Sequence, residues 1–86
     1  MSAVLAAQAD SLDWTAVSSS NVAAVAYAAD FARLFIRFKS GQRYAYEGVP
    51  LGVFQGLLAA PSKGEYVFAI IRRKGTDSVY PYSGPF

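Results

Sequence analysis

The fold of this chain is decided by a stretch near its middle. It reads Leu34-Phe35-Ile36-Arg37-Phe38-Lys39-Ser40-Gly41-Gln42-Arg43-Tyr44-Ala45-Tyr46-Glu47-Gly48-Val49-Pro50. Its first half alternates between two sets of side chains, which is the period-two pattern of a half-buried β-strand. A second alternating run follows the turn residues, and a Gly-Val-Pro sequence interrupts it before a helical pattern begins. The stretch therefore predicts a β-hairpin that leads directly into a helix.

The length of the hairpin loop decides which face of the sheet the two tyrosines occupy. With a three-residue loop, residues 39–41, Gly41 takes the left-handed position of a bulge. Ile36 then pairs with Tyr44, and Tyr46 lies further along the same apolar face. A two-residue loop would shift the register by one residue and turn both tyrosines to the basic face. We favour the first register because it gathers the apolar side chains on one side of the sheet.

The flanking residues complete a small α+β domain. We predict strands at residues 21–28, 33–38 and 42–47 and helices at residues 51–60 and 62–74. The expected architecture is a three-stranded antiparallel β-meander with two helices packed on one face. Residues 14–75 form this domain, residues 1–13 are expected to be a flexible N-terminal extension, and residues 76–86 an extended C-terminal tail. The alanines in the first strand weaken its β propensity.

Two local patterns support the helices. Ser62 and Glu65 have the spacing of a capping box, which predicts a helix that begins after Ser62. In the preceding helix, Gly52 and Gly56 lie one turn apart, and each costs roughly 1 kcal/mol in a helix interior. These glycines indicate that another part of the backbone, or a partner, approaches closely.

The missing residue types exclude several kinds of chemistry. The 86 residues include no His and no Cys, which rules out Ser-His-Asp triads, Cys-His pairs and the usual zinc sites. The seven glycines form neither a Walker loop nor a dinucleotide fingerprint. The six carboxylates include no pair with a clear shared face. We therefore expect a protein that is not an enzyme and has no metal and no cofactor.

The same composition predicts a cytoplasmic protein. Cysteine-free chains suit a reducing compartment. The N-terminus lacks the basic segment of a secretion signal, and no apolar run reaches the ~18 residues of a membrane span. No membrane partner is expected.

The positive charge is concentrated in one part of the chain. All eight Lys and Arg residues lie between Arg33 and Lys74, with only two carboxylates among them. The candidate nucleic-acid-binding residues are Arg33, Arg37, Lys39, Arg43, Arg72 and Arg73. In the favoured register Arg37 faces Arg43, and two like charges directly opposite are mildly unfavourable unless an anion binds them. The alternatives are that the hairpin cations form a solvated strand face and that Arg72 and Arg73 complement the helix dipole.

A longer series of residues resembles the KTSC domain. The series comprises Val17-x-Ser19-Ser20, Val22, Tyr27, Leu34-x-Ile36-x-Phe38, Gly41, Tyr44-x-Tyr46, Val49-Pro50 and Ala60-x-Ser62-x-Gly64-x-Tyr66. This domain is found at the C-terminus of some lysyl-tRNA synthetases and alone in small bacterial and phage proteins. The resemblance implies a role in RNA binding, with Tyr44 and Tyr46 as the family motif. The tyrosines are expected either to stack on bases or to lie in the core with their hydroxyls at the surface.

The sequence is compatible with two different classes of function. The first is a non-catalytic binding module for nucleic acid, preferably RNA, that uses the basic hairpin face. The second is a protein-interaction module, such as a phage-encoded modulator of a host protein, that docks through an apolar or homo-oligomeric surface. Salt dependence separates them, because phosphate binding weakens steeply with salt and an apolar interface does not.

Overall fold

Strands and helices follow one another along the chain and build an α+β domain, as the sequence predicts. The computed structural model describes residues 2–71 and 80–86. Its elements are α1 (Ser2–Ser11), β1 (Thr15–Ala16), β2 (Val22–Ala28), β3 (Arg33–Phe38), β4 (Arg43–Tyr46), α2 (Leu51–Ala59), α3 (Lys63–Tyr66) and β5 (Tyr82–Ser83). A 3₁₀ turn, Ala29–Phe31, links β2 to β3, and α3 continues as a π-helix over Val67–Ile71. The strands form one antiparallel sheet in chain order. Within this described part, no helix has the length and apolar character needed to cross a membrane.

The hairpin between β3 and β4 has the three-residue loop favoured by the sequence pattern. Ile36 pairs with Tyr44, as predicted. The Gly41 amide donates to the Phe38 carbonyl at 2.9 Å, and Gly41 has a φ of +94°, a conformation that costs glycine little. The predicted register is therefore confirmed, and Tyr44 and Tyr46 lie on the apolar face.

The larger apolar core lies between the sheet and the helices α2 and α3. Its buried residues are Val22, Val25, Leu34, Ile36, Tyr46, Val49, Leu57 and Val67. Tyr27 stacks on Phe54 with ring centroids 5.1 Å apart, and its hydroxyl donates to the Val49 carbonyl at 2.6 Å. These contacts attach α2 to the sheet on the face that was predicted to receive it. The side chain of Ile70, in the π-helix, lies outside the described residues.

The opposite face of the sheet is covered by α1. Leu5 and Ala9 are buried there against Phe35 and against alanines of the sheet, which are Ala26, Ala28 and Ala45. Methyl side chains let the helix approach the strands closely, and burying Leu5 contributes about 1.5–3 kcal/mol. The Trp14 indole N–H donates to the Ala9 carbonyl at 2.7 Å and fixes the end of α1.

The two predicted helices pack on one face as expected, but a third helix at residues 2–11 covers the other face, where a flexible extension was expected. The physical reason lies in β2. Its alanines were interpreted as a weakness of the strand, whereas they alternate with Val25 and Tyr27 and form the docking surface for α1. Both faces of this strand are buried, so it tolerates small residues on one of them.

The C-terminal residues, which were expected to form an extended tail, pair with the sheet as a fifth strand. In β5, Tyr82 pairs with Tyr46 and Ser83 with Ala45. The Phe86 amide donates to the Arg43 carbonyl at 3.0 Å. The prediction of three strands is therefore wrong, since β1 and β5 extend the sheet to five. Prolines flank β5, and they are tolerated because this strand lies at the sheet edge.

Close packing between α2 and α3 explains one of the two helical glycines. A Cβ at Gly56 would collide with the ring and hydroxyl of Tyr66. The Tyr66 hydroxyl donates to the Val53 carbonyl of α2 at 2.9 Å. A Cβ at Gly52 would meet nothing within 4 Å, so no contact in the described part of the chain requires that glycine.

The start of α3 provides a first prediction. The Ser62 hydroxyl accepts from the Glu65 amide at 3.3 Å, as expected for a capping residue. Replacing Ser62 with alanine should lower the free energy of unfolding by about 1 kcal/mol, because one amide loses its acceptor. Urea denaturation measures this change. Ser62→Asp retains an acceptor and should be tolerated; equal stability of the alanine variant and the wild type would show that the cap is dispensable.

Candidate nucleic-acid interface

Three of the candidate arginines lie together on the sheet face that α1 covers. Arg33, Arg37 and Arg43 point to this side, and we call it the arginine face. Lys39 lies apart from them in the hairpin loop. Arg72 and Arg73 lie outside the described residues.

Arg33 is engaged by residues of its own chain. Its Nε donates to both carboxylate oxygens of Glu47, at 2.8 and 3.0 Å, and its Nη1 donates to the side-chain oxygen of Gln8. Its guanidinium also lies 5.0 Å from the centre of the Phe31 ring. These contacts give Arg33 a structural role, because a phosphate would have to displace several partners at once.

Arg43 contacts side chains from near both ends of the chain. Its Nη1 lies 2.9 Å from the Asp10 carboxylate, and its guanidinium lies 5.3 Å from the centre of the Phe86 ring. The Asp10 side chain is 72% exposed. An ion pair with one partner so exposed is weak, typically ~0–1 kcal/mol.

Arg37 faces Arg43 across the hairpin, as predicted. Its guanidinium lies 5.6 Å from the centre of the Trp14 ring, and the residue is exposed to solvent. The sequence argument took this like-charge pair as a sign of a bound anion. The structure corrects that argument, because Arg43 pairs with Asp10 and the Arg37 guanidinium lies over the Trp14 ring.

A cleft opens at the tip of the hairpin, on the other side of the sheet. It has a volume of about 340 Å³ and is lined by Ser20, Asn21, Phe38, Lys39, Ser40, Gln42, Tyr44 and Phe68. We call it the hairpin-tip cleft. Its lining combines one cation, two side-chain amides, two hydroxyls of the loops and three aromatic rings. A flexible ammonium beside aromatic rings suits a ligand that has both an anionic group and a flat unsaturated ring.

The floor of this cleft is assembled from segments distant in sequence. The Lys39 amide donates to the Asn21 carbonyl at 2.8 Å, which fixes the loop against the start of β2. The Asn21 side-chain oxygen accepts from the Ser19 hydroxyl at 3.2 Å. A Cβ at Gly64 would lie 2.6 Å from the same oxygen, so only glycine lets α3 approach so closely. Ser19 and Gly64 both belong to the KTSC-like series, and their role is to bring these segments together.

The two tyrosines of the family motif have different environments. Tyr46 is fully buried in the larger core, which rules out base stacking on its ring. Tyr44 is half-buried and lines the hairpin-tip cleft. Its ring lies edge-on to Phe38 at 5.8 Å and is tilted against Tyr82 at 6.0 Å. One tyrosine therefore supports the core, and the other reaches the candidate site.

Sequence reasoning missed Asn21 and Phe68. Asn21 was assigned only as the first residue of the predicted strand at residues 21–28, and Phe68 was assigned no role in the second helix. The signal for Asn21 was the serine-rich turn directly before β2; nothing in the sequence singled out Phe68. Within residues 2–71 and 80–86, no group of three or more carboxylates is arranged to hold a metal ion.

Comparisons with known proteins support the family. The sequence model of the KTSC domain family matches residues 18–74 of this chain. The chain is similar to the crystal structure of a KTSC domain protein from Yersinia pestis, with a TM-score of 0.74 and 29% sequence identity, over 85% of this chain and 96% of that one. Among curated proteins, none matches the chain. The matched residues include both motif tyrosines and the whole lining of the hairpin-tip cleft, and this chain belongs to the KTSC domain family.

Proposed function

We propose that this protein is a non-catalytic module that binds single-stranded nucleic acid, preferably RNA, at the hairpin tip. The observation that carries the proposal is the hairpin-tip cleft, where Lys39 and three aromatic rings line one cavity. Proteins that bind single strands combine cations for the phosphates with aromatic rings on which unpaired bases stack. The cleft offers both within a volume at the lower end of small-ligand sites, about 300–1,000 Å³.

The charges around the tip support a path for the strand. Lys39 and Arg37 are both exposed and only one residue separates them along the chain. Neither has a carboxylate partner among the described residues, in contrast to Arg33 and Arg43. Phosphates of a strand that passes round the tip can therefore contact Lys39 at the cleft and Arg37 on the arginine face without breaking an ion pair. Phe68, which is 40% exposed, also lines the cleft.

The proposal predicts that Lys39→Ala weakens binding of a fluorescein-labelled ten-nucleotide oligouridylate by about 3- to 10-fold at low salt. The slope of log K against log salt concentration should fall by about 0.7, the value for one lost phosphate contact with a single strand. Phe68→Leu should weaken binding without changing that slope, since it removes stacking and no charge. Fluorescence anisotropy at several salt concentrations measures both quantities.

Lys63→Gln is the matched control for Lys39→Ala. It also removes one positive charge, but Lys63 is not among the residues that line the cleft; its ammonium instead donates to the carbonyls of Leu58 and Ala60. This variant should bind nearly as well as the wild type. Equal losses in the two lysine variants would mean that only overall charge matters, and absence of binding by the wild type at low salt would end the proposal.

A second function is favoured by the outer surface of α2. This helix contains no charged residue, and Leu51 and Leu58 are 51% and 37% exposed on it. Such a surface suits a protein partner, either a second copy of the chain or a host protein modulated by a phage-encoded domain. Binding through it would persist at high salt, which distinguishes it from binding at the hairpin tip.

A further inference from the structure

On the arginine face, Arg43 contacts a carboxylate and Arg37 contacts an aromatic ring. A nucleic acid offers similar groups, because its phosphates are anionic and its bases are aromatic rings. Asp10 places a carboxylate oxygen 2.9 Å from Arg43, where a phosphate oxygen would bind. Trp14 places an indole ring 5.6 Å from the Arg37 guanidinium, as an unpaired base would. Both partners come from the N-terminal region, either from α1 or from the residues just after it.

We propose that α1 is an intramolecular competitor of the nucleic acid for the arginine face. This inference rests on the proposed function and adds its regulation. A strand that passes round the hairpin tip, from Lys39 at the cleft to Arg37 on the arginine face, reaches Arg43, and its phosphate replaces the Asp10 carboxylate. By linkage, any change that frees Arg43 from Asp10 strengthens binding of the strand, and binding of the strand loosens α1 to the same extent.

The attachment of α1 suits a segment that yields to a ligand. Among the residues described in α1, only Leu5 and Ala9 are buried. An isolated helix of this length is marginal in water, so α1 depends on these contacts with the sheet. The larger core, between the sheet and α2–α3, contains no residue of α1 and remains intact when the helix leaves. Arg33 remains paired with Glu47, which lies outside α1, so the surface gained centres on Arg43.

The first test uses Asp10→Asn in the full chain. The substitution is at an exposed position and removes the carboxylate from Arg43. With the same labelled oligouridylate, affinity should rise by about 2- to 5-fold, which corresponds to the loss of an exposed ion pair worth ~0–1 kcal/mol. Asp13→Asn is the control: it makes the same change of charge, and Asp13 forms no ion pair in the described part of the chain. Equal affinities for the two variants would overturn the inference.

The second test looks for the reciprocal effect on α1 in the wild type. Addition of the oligonucleotide should increase hydrogen exchange of the α1 amides and leave that of β3 unchanged. Trp14, the only tryptophan of the chain, should shift its fluorescence to longer wavelength, because its hydrogen bond to Ala9 is broken. Protection of α1 that stays constant at saturating oligonucleotide would contradict the proposal.

The outcomes separate this inference from the proposed function. One outcome is that the wild type binds, that Lys39→Ala weakens binding and that Asp10→Asn leaves the affinity unchanged. In that case the tip binds nucleic acid and α1 does not compete. If only Asp10→Asn binds, the arginine face is the site and α1 blocks it, which supports the competitor role and overturns binding at the tip. If neither binds, both proposals fail.

Discussion

Replacing Tyr46 with alanine is expected to lower the free energy of unfolding by about 3–5 kcal/mol, the range for losing a large buried aromatic side chain. Tyr46 is fully buried in the larger core, where its ring contacts Tyr44 and Tyr82 at centroid distances of 6.4 and 5.9 Å. Its strand pairs with β3 on one side and β5 on the other, so the cavity lies at the centre of packed elements and collapses poorly. Urea denaturation followed by circular dichroism measures the loss.

The control for this prediction is Tyr46→Phe, which retains the ring and should retain most of the stability. A loss below about 0.5 kcal/mol for the alanine variant would be typical of a surface position. That result would place the ring outside the core and restore Tyr46 as a candidate for base stacking.

Replacing Phe35 with alanine is expected to have an effect of similar size, about 3–5 kcal/mol, on the opposite face. Phe35 is fully buried, and its ring lies edge-on to Trp14 at 6.3 Å and to Phe86 at 6.2 Å. It is the largest buried side chain of the core beneath α1. The variant should therefore also loosen α1, which the fluorescence of Trp14 detects during the same denaturation experiment.

Phe31→Ala provides the comparison for Phe35→Ala. Phe31 is exposed and contacts the Arg33 guanidinium, so its loss should cost less than about 1 kcal/mol. Similar losses for the two phenylalanines would mean that the face under α1 is not a true core. In that case α1 would have little to bind to, and its role as a competitor would lose its structural basis.

The hairpin was predictable because its determinants are local. The alternation of Leu34 and Ile36 with charged neighbours fixes the period, and Gly41 fixes the loop length and hence the register. By contrast, α1 and β5 depend on contacts with distant parts of the chain. Alanine-rich residues 2–11 have no strong amphipathic pattern, and their stability comes from a sheet surface that only the folded protein provides.

Only part of the candidate site was predictable, because only some of its residues lie in locally determined elements. Lys39 lies in the predicted loop and Tyr44 on the predicted strand, so both were identified. Asn21 reaches the cleft from the turn before β2 and Phe68 from the π-helix, and their proximity depends on the close approach of Gly64. The arginines were correctly placed on one face, but their partners Asp10 and Phe86 lie near the two ends of the chain. No local pattern links those ends to the hairpin.

The two edge strands limit how this domain can associate. In the described part of the chain, the outermost strands of the sheet are Thr15–Ala16 and Tyr82–Ser83, and each pairs over two residues. A longer margin would present a row of unpaired backbone donors and acceptors to which an extended peptide could add. With margins this short, a peptide gains few main-chain hydrogen bonds by joining the sheet. Copies of the domain can therefore be concentrated with little tendency to form continuous β-structure through these edge strands.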